Sequence, residues 1–409
     1  MREHSSKVSF IEFVSLMGLL TAMTALSTDA LLPALGDIGH DLHIVQVNNN
    51  QLIISLLFAG MALGQIIYGP LSDTIGRKKS IYIGIGIFIV GCFVSIFSTN
   101  LTTMLIGRFL QGLGAASPRI ITMAIIRDRY KGREMARVMS FIMTVFIFVP
   151  AIAPAFGEGI LLLWEWEAIF VSFLLIAILA FVWLGLRQEE TLPLSARVPF
   201  SLHHIYRGIK ETCYNPTAFS YTIIAGIIFG AFLGYLNSAQ QIFQDTYNTG
   251  EAFALYFGLL ALAIGAASFL NAKLVMHYGM RKISGYALLI ITTVSILFFI
   301  YALMHDGVPS FYSFMAYGFI SFFCMGLLFG NLNAMAMEPL GHIAGVGAAV
   351  VGSLSTFISI PLGTLVGHFY DGTVLPLVLG FALLGLFATL IFRYARLSTM
   401  SPVDIDETP

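Results

Sequence analysis

Charge is scarce in this sequence. Only 11% of its 409 residues are Asp, Glu, Lys or Arg, 57% are hydrophobic, and the mean hydropathy is +0.86. A soluble chain of this length needs more charge to cover its surface, so a water-soluble globular domain is excluded. Cysteine is almost absent. Cys92, Cys213 and Cys324 stand far apart, two in apolar runs and one in a polar connection, which excludes a disulfide framework and a thiolate metal site. Catalytic signatures are missing as well: there is no HExxH, no GxSxG and no pair of intramembrane histidines with an aspartate. His277 falls in a loop and His368 stands alone at the end of a run, so an enzyme working inside the membrane is not expected. A cleavable leader is not expected either. After a short charged start, the apolar run from Phe10 to Leu32 is too long for a signal core and carries no small-x-small site, so it reads as a retained span.

Long apolar runs are abundant. A bilayer-spanning helix needs about 20 mainly apolar residues, and such runs occupy 10–32, 50–70, 80–98, 101–126, 138–160, 168–186, 219–243, 252–275, 283–304, 311–335, 345–368 and 374–394. The connections are short except at 187–218, a polar stretch containing RQEE, SARVP and HHIYRGIK. The expected organisation is therefore a six-helix bundle over 1–186, a cytoplasmic central loop over 187–218, and a second six-helix bundle with a short cytoplasmic tail over 219–409.

Basic residues test the count. With the N-terminus inside, every Lys and Arg except Arg108 and Arg119 falls on the cytoplasmic side, while the outer loops carry acids such as Asp37, Asp41, Glu165, Glu167, Asp245, Asp306 and Asp371. This asymmetry fits an even number of spans with both termini inside. Trp164 and Trp166, at an outer helix end, fit an interfacial aromatic belt.

The chain repeats itself. Residues 69–79 read GPLSDTIGRKK between spans 2 and 3, and 203 residues later 272–282 read AKLVMHYGMRK between spans 8 and 9. Leu71 and Gly76 correspond to Leu274 and Gly279, and Lys78 and Lys79 to Arg281 and Lys282, but Asp73 has become Met276. A match at half-chain spacing and the same topological position points to a duplicated six-helix unit.

Four stretches carry a family resemblance. GPLSDTIGRKK resembles the loop 2–3 signature of the major facilitator superfamily. LIGRFLQGLGAA, 105–116, resembles its span 4 signature with a buried arginine, here Arg108. VPAIAPAFGEGI, 149–160, is similar to the span 5 Gly-Pro signature of antiporters, with Ala153 in place of the first glycine, and STDALLPAL, 27–35, resembles the span 1 motif of twelve-helix drug:proton antiporters. With IIRDRY and WEAIF, these stretches resemble the bicyclomycin- and chloramphenicol-resistance branch. The resemblance implies an all-α membrane protein with the major facilitator fold: two six-helix bundles about a pseudo-two-fold axis along the membrane normal, with substrate near the midplane. It also implies a monomer of the bacterial inner membrane that exports small organic molecules against protons. The proton gradient would be its energy source, with no cofactor, no metal and no nucleic acid partner; its partners would be the substrate, protons and the lipid bilayer.

The motif residues have distinct expected roles. Gly69, Asp73, Gly76, Arg77 and, at the end of span 4, Asp128 form a conformational latch of ion pairs at the cytoplasmic ends, unless the three basic residues only hold the loop inside. Pro150, Pro154, Gly157 and Gly159 make a bending, closely packed seam in span 5. Asp29 matches the acid that couples protons in relatives, a task suited to a carboxyl whose pKa moves with burial and neighbouring charge. The alternative is a surface acid close to Pro33. A second acid found in several members of the branch is replaced here by Thr21, which leaves Glu12, Glu158 and Glu338 as further acids near helix ends.

Arg119 follows Arg108 by eleven residues, about three turns and 16 Å on one helix face. With Asp29 ionised, the two arginines give net positive charge and favour anionic cargo such as a siderophore, unless Arg119 snorkels to the interface. Arg108, Arg119, Gln65, Tyr235, Asn237, Gln240 and Asn331 are the candidates for lining a substrate cavity, with Gln241 and Asn333 beside them. The uncharged ones serve equally well as interhelical hydrogen bonds.

Overall fold

The computed structural model describes residues 9–399; the tail after Thr399 lies outside the described residues. Twelve helices of 20–30 residues follow one another. They are α1 Phe10–Asp29, α2 Leu52–Ile75, α3 Arg77–Ile96, α4 Leu101–Arg129, α5 Gly132–Leu161, α6 Glu167–Arg187, α7 Pro216–Gln240, α8 Phe253–Tyr278, α9 Met280–Leu303, α10 Phe311–Met337, α11 Ala344–His368 and α12 Leu375–Thr399. Ten stretches are long and apolar enough to cross a membrane. One of them, Phe311–His368, contains both α10 and α11, and α5 adds the shorter apolar segment Phe148–Leu161.

Local chemistry starts these helices where the apolar runs begin. Ser9, Asn100, Asn215 and Ser310 each accept a hydrogen bond from the backbone N–H three residues on, satisfying a donor the helix cannot use. Pro216 fills the first position of α7, where a missing N–H costs nothing. α1 ends at Asp29, three residues earlier than its apolar run. Pro33 enters a 3-10 turn at Leu32–Ala34, and a short helix, Leu35–Asp41, occupies the expected outer loop.

The chain divides into two compact units, one of residues 1–202 with 251–258, the other of 203–250 with 259–409. In the first, α4 packs against α2 where Gly112 meets the Leu57 carbonyl, and against α3 where Gly114 meets the Phe88 N–H. In the second, Gly226, Gly230 and Gly363 let α7 and α11 approach closely. Small residues do this work because lipid supplies no hydrophobic drive between apolar helices.

Two expectations change. The central connection, expected as a polar loop, holds a 3-10 turn at Leu194–Ala196 and a helix at Leu202–Tyr214, whose Gly208 packs on Val346 of α11. Trp164 is exposed, but Trp166 is buried and donates its indole N–H to Asp41 at 2.9 Å, so only the former is free for an interfacial belt. Topology is open to a direct check. A reporter active only outside the cytoplasm should work when fused after Thr249 and stay silent after Arg197; the reverse pattern would overturn the orientation read from charge.

Candidate functional site

Asp29 is the last residue of α1 and only 6% exposed. It closes a polar stretch in which Thr21, Ser27 and Thr28 bond back to carbonyls of their own helix, while Thr24 reaches Ala115 O on α4. Their hydroxyls are thereby occupied. Among the described residues no ion pair or hydrogen bond reaches the Asp29 carboxylate.

Arg108, on α4, has quite different surroundings. It is fully buried, and its guanidinium donates to Ile53 O of α2 at 3.0 Å, Gln111 Oε1 at 2.6 Å and Ser27 O of α1 at 2.8 Å. Gln111 passes the connection on to Ser95 of α3 at 3.3 Å, and the Phe170 ring lies 5.8 Å from the guanidinium carbon. The fork of a guanidinium suits such a strut, since its donors point in fixed and different directions. Through these bonds and Gln111, Arg108 links α1, α2 and α3 to α4, and it grips the backbone two residues before Asp29.

The other side of that turn is held by α5. A side chain at Gly157 would run into the Ala30 carbonyl, so α5 and the end of α1 touch backbone to backbone. Pro154 shares the buried face with Gly157, Pro150 is half-buried, and Gly159 points to open space. Asp29 is therefore clamped from both sides, by Arg108 at Ser27 and by Gly157 at Ala30.

The second cluster lies at the α2–α3 turn. Arg77 donates to Asp73 Oδ1 and Ser72 Oγ through one nitrogen, and its Nε donates to Asp128 Oδ2 at 3.0 Å. Gly69 accepts from Ser72 Oγ at 2.9 Å. Gly76 turns the chain with φ +104°, a conformation that favours glycine. The repeat preserves this construction. Gly279 caps α9 with φ +75° and ψ 153°, close to the ψ of 157° at Gly76, and Arg281 meets Glu338 at 3.4 Å just past α10, as Arg77 meets Asp128 near the end of α4. Met276 removes one acid from the second copy, but Glu338 retains the other.

The family description "Major Facilitator Superfamily" matches residues 17–364. The chain belongs to that superfamily. An uncharacterised transporter of this type from Bacillus subtilis, YdgK, is 29% identical over 86% of this chain and 87% of its own length. A bicyclomycin resistance protein homolog from Haemophilus influenzae is 27% identical over 92% and 93%. Multidrug resistance protein D of Escherichia coli is 24% identical over 87% and 88%. In fold, the human organic anion transporter MFSD10 (TETRAN) superposes with a TM-score of 0.70, covering 93% of this chain and 98% of its own at 14% identity.

As a facilitator, the chain is a multi-pass membrane transporter and not an enzyme. Its uncharged cavity candidates are divided in their surroundings. Gln65 on α2 is half-buried. In the second unit Tyr235 is buried against Phe322, with ring centroids 4.6 Å apart, and Asn237 is buried nearby on α7. Gln240 donates to Gln244 at 2.8 Å. Asn331 is not an exposed ligand group: it exchanges two 2.9 Å amide hydrogen bonds with Asn271, joining α10 to α8. Arg119 is half-buried within α4, next to Pro118. Sequence reasoning missed Gln111, which lies one turn from Arg108 on the same helix face, and it missed Glu190, which bonds the first turn of α3.

Proposed function

We propose that this facilitator exports small organic molecules across a bacterial inner membrane by proton antiport, with both termini cytoplasmic and alternating access controlled by the Arg77 latch. The observation that carries the reading is Asp29, a buried carboxyl with no ion-pair or hydrogen-bond partner among the described residues, at the end of a span and braced on both flanks. Placing a charge within a bilayer costs at least ~2.5–3.5 kcal/mol, so an intramembrane acid is kept for a purpose. A carboxyl free of an arginine can take up and release a proton as its surroundings alternate between wet and dry. The relatives named for bicyclomycin and multidrug resistance support drug-like cargo.

Everted vesicles loaded with a pH dye test the reading. Chloramphenicol, bicyclomycin and ethidium, added singly, should include one that collapses an imposed gradient only when the protein is present. Uptake of that compound unchanged by a protonophore would overturn proton coupling.

Arg119 favours a second reading, in which the cargo is an anionic metabolite. It lies about 12 Å along α4 from Arg127, more than two turns inside the end of the helix. A guanidinium grips a carboxylate with two parallel hydrogen bonds. In that case Arg119→Lys should weaken a carboxylate substrate, Arg119→Ala should weaken it further, and a neutral drug should be spared by both. Equal effects on both substrates would remove this reading.

A further inference from the structure

The start of α3 is electrostatically wrong by itself. Arg77, Lys78 and Lys79 put three cations at the positive end of the helix dipole, no acid lies in the first turn, and Gly76 has no side chain to cap it. The missing anion arrives from far along the chain. Glu190, just beyond α6, accepts from the Arg77 N–H at 2.9 Å through Oε1 and from the Lys78 N–H at 3.1 Å through Oε2. Its Oε1 also accepts from Leu192 N at 3.0 Å, which fixes the carboxylate against its own segment.

The neighbours of Glu190 bind the same turn. Thr191 donates to Asp128 Oδ2 at 3.0 Å, the oxygen that also takes Arg77 Nε. Val198 N donates to the Asp73 carbonyl at 3.1 Å, and Lys78 Nζ donates to Gly185 O at 2.9 Å. The Arg197 guanidinium stands 4.0 Å from the Glu190 carboxylate. A side chain at Gly76 would collide with that carboxylate, so this glycine supplies room as well as a positive φ. The second copy lacks the arrangement: space is open where a side chain at Gly279 would lie.

We propose that residues 185–198 form a fixed strap and that Glu190 is a positioning residue of the latch. By pinning the first turn of α3, it holds the Arg77 guanidinium between Asp73 and Asp128. The inference rests on the latch reading given above. It also places the start of the connection between the units, which passes to the second unit after residue 202, on the latch itself.

The test needs no substrate. In the full chain, with Cys92, Cys213 and Cys324 replaced by serine, spin labels are attached through Lys131→Cys and His277→Cys. Pulsed dipolar spectroscopy then reads the populations of the conformations in lipid nanodiscs. Asp73→Asn should change their ratio, and Glu190→Ala should change it in the same direction by about fivefold, the scale of a lost helix cap. Glu190→Gln, which keeps the shape and one acceptor oxygen, should give a smaller change. Glu190→Asp, which keeps the charge, should restore part of the original ratio. If Asp73→Asn shifts the ratio while Glu190→Ala and Glu190→Gln leave it unmoved, the strap inference is wrong and the latch stands. If none of them shifts it, the latch reading fails and the strap falls with it. Glu190→Gln also covers the case in which Glu190→Ala does not fold.

Discussion

Asparagine at position 29 is expected to abolish substrate-induced proton release while leaving the protein folded. The side chain is buried, and no ion pair is broken by the exchange, because among the described residues none is formed. Asparagine has the same shape and cannot titrate. A buried Asp29 that holds its proton at rest is neutral, as asparagine is, so Asp29→Asn should melt close to the wild-type temperature. Adding a transported compound to the wild type in weakly buffered detergent should release protons from Asp29. The same addition to the variant should release none, although the compound still binds. Proton release that persists at the normal pH midpoint would place the proton site elsewhere, with Glu158 on α5 and Glu338 after α10 next in line.

The fold was largely legible because its determinants are local. A span is announced by length and hydropathy, so the twelve runs coincide with helices to within about six residues at each end. The pairing of Arg77 with Asp128 could be read from charge and from the shared cytoplasmic end. The surroundings of Arg108 could not. The resemblance predicts a buried arginine in span 4, but two of its three acceptors are backbone carbonyls of α1 and α2, and every residue has one of those. The two ends of α1 and α5 were both recognised as motifs, yet nothing in either sequence says that Gly157 abuts Ala30. Such contacts depend on how helices cross, which hydropathy does not encode. Glu190 left a clue in the three cations opening α3 without a cap, with the acids Glu189 and Glu190 following α6. The clue becomes a contact only once α6 is known to end beside that turn.

Arg108 makes the largest stability prediction. Arg108→Ala removes three donors from three fixed acceptors and leaves Ile53 O, Ser27 O and Gln111 Oε1 facing a cavity inside the first unit. Hydrogen bonds to a charged group contribute ~1.5–3 kcal/mol each, and Gln111 Oε1 loses its partner outright, so a loss of about 3 kcal/mol or more is expected. Arg108→Lys should fall between the two, since an ammonium keeps the charge but cannot span acceptors on different helices as a planar fork does. Thermal unfolding in detergent should therefore rank wild type above Arg108→Lys and that above Arg108→Ala. The lysine variant also separates a strut from a passive filler. Ser27 O is one of the two points that hold the last turn of α1, and Gly157 against Ala30 is the other. With the first point loosened and the protein still folded, the pH midpoint of proton release should shift while substrate binding remains. Arg108→Ala melting with the wild type would remove the strut. Arg108→Lys that unfolds earlier yet releases protons at the wild-type midpoint would leave Arg108 holding the bundle without holding Asp29.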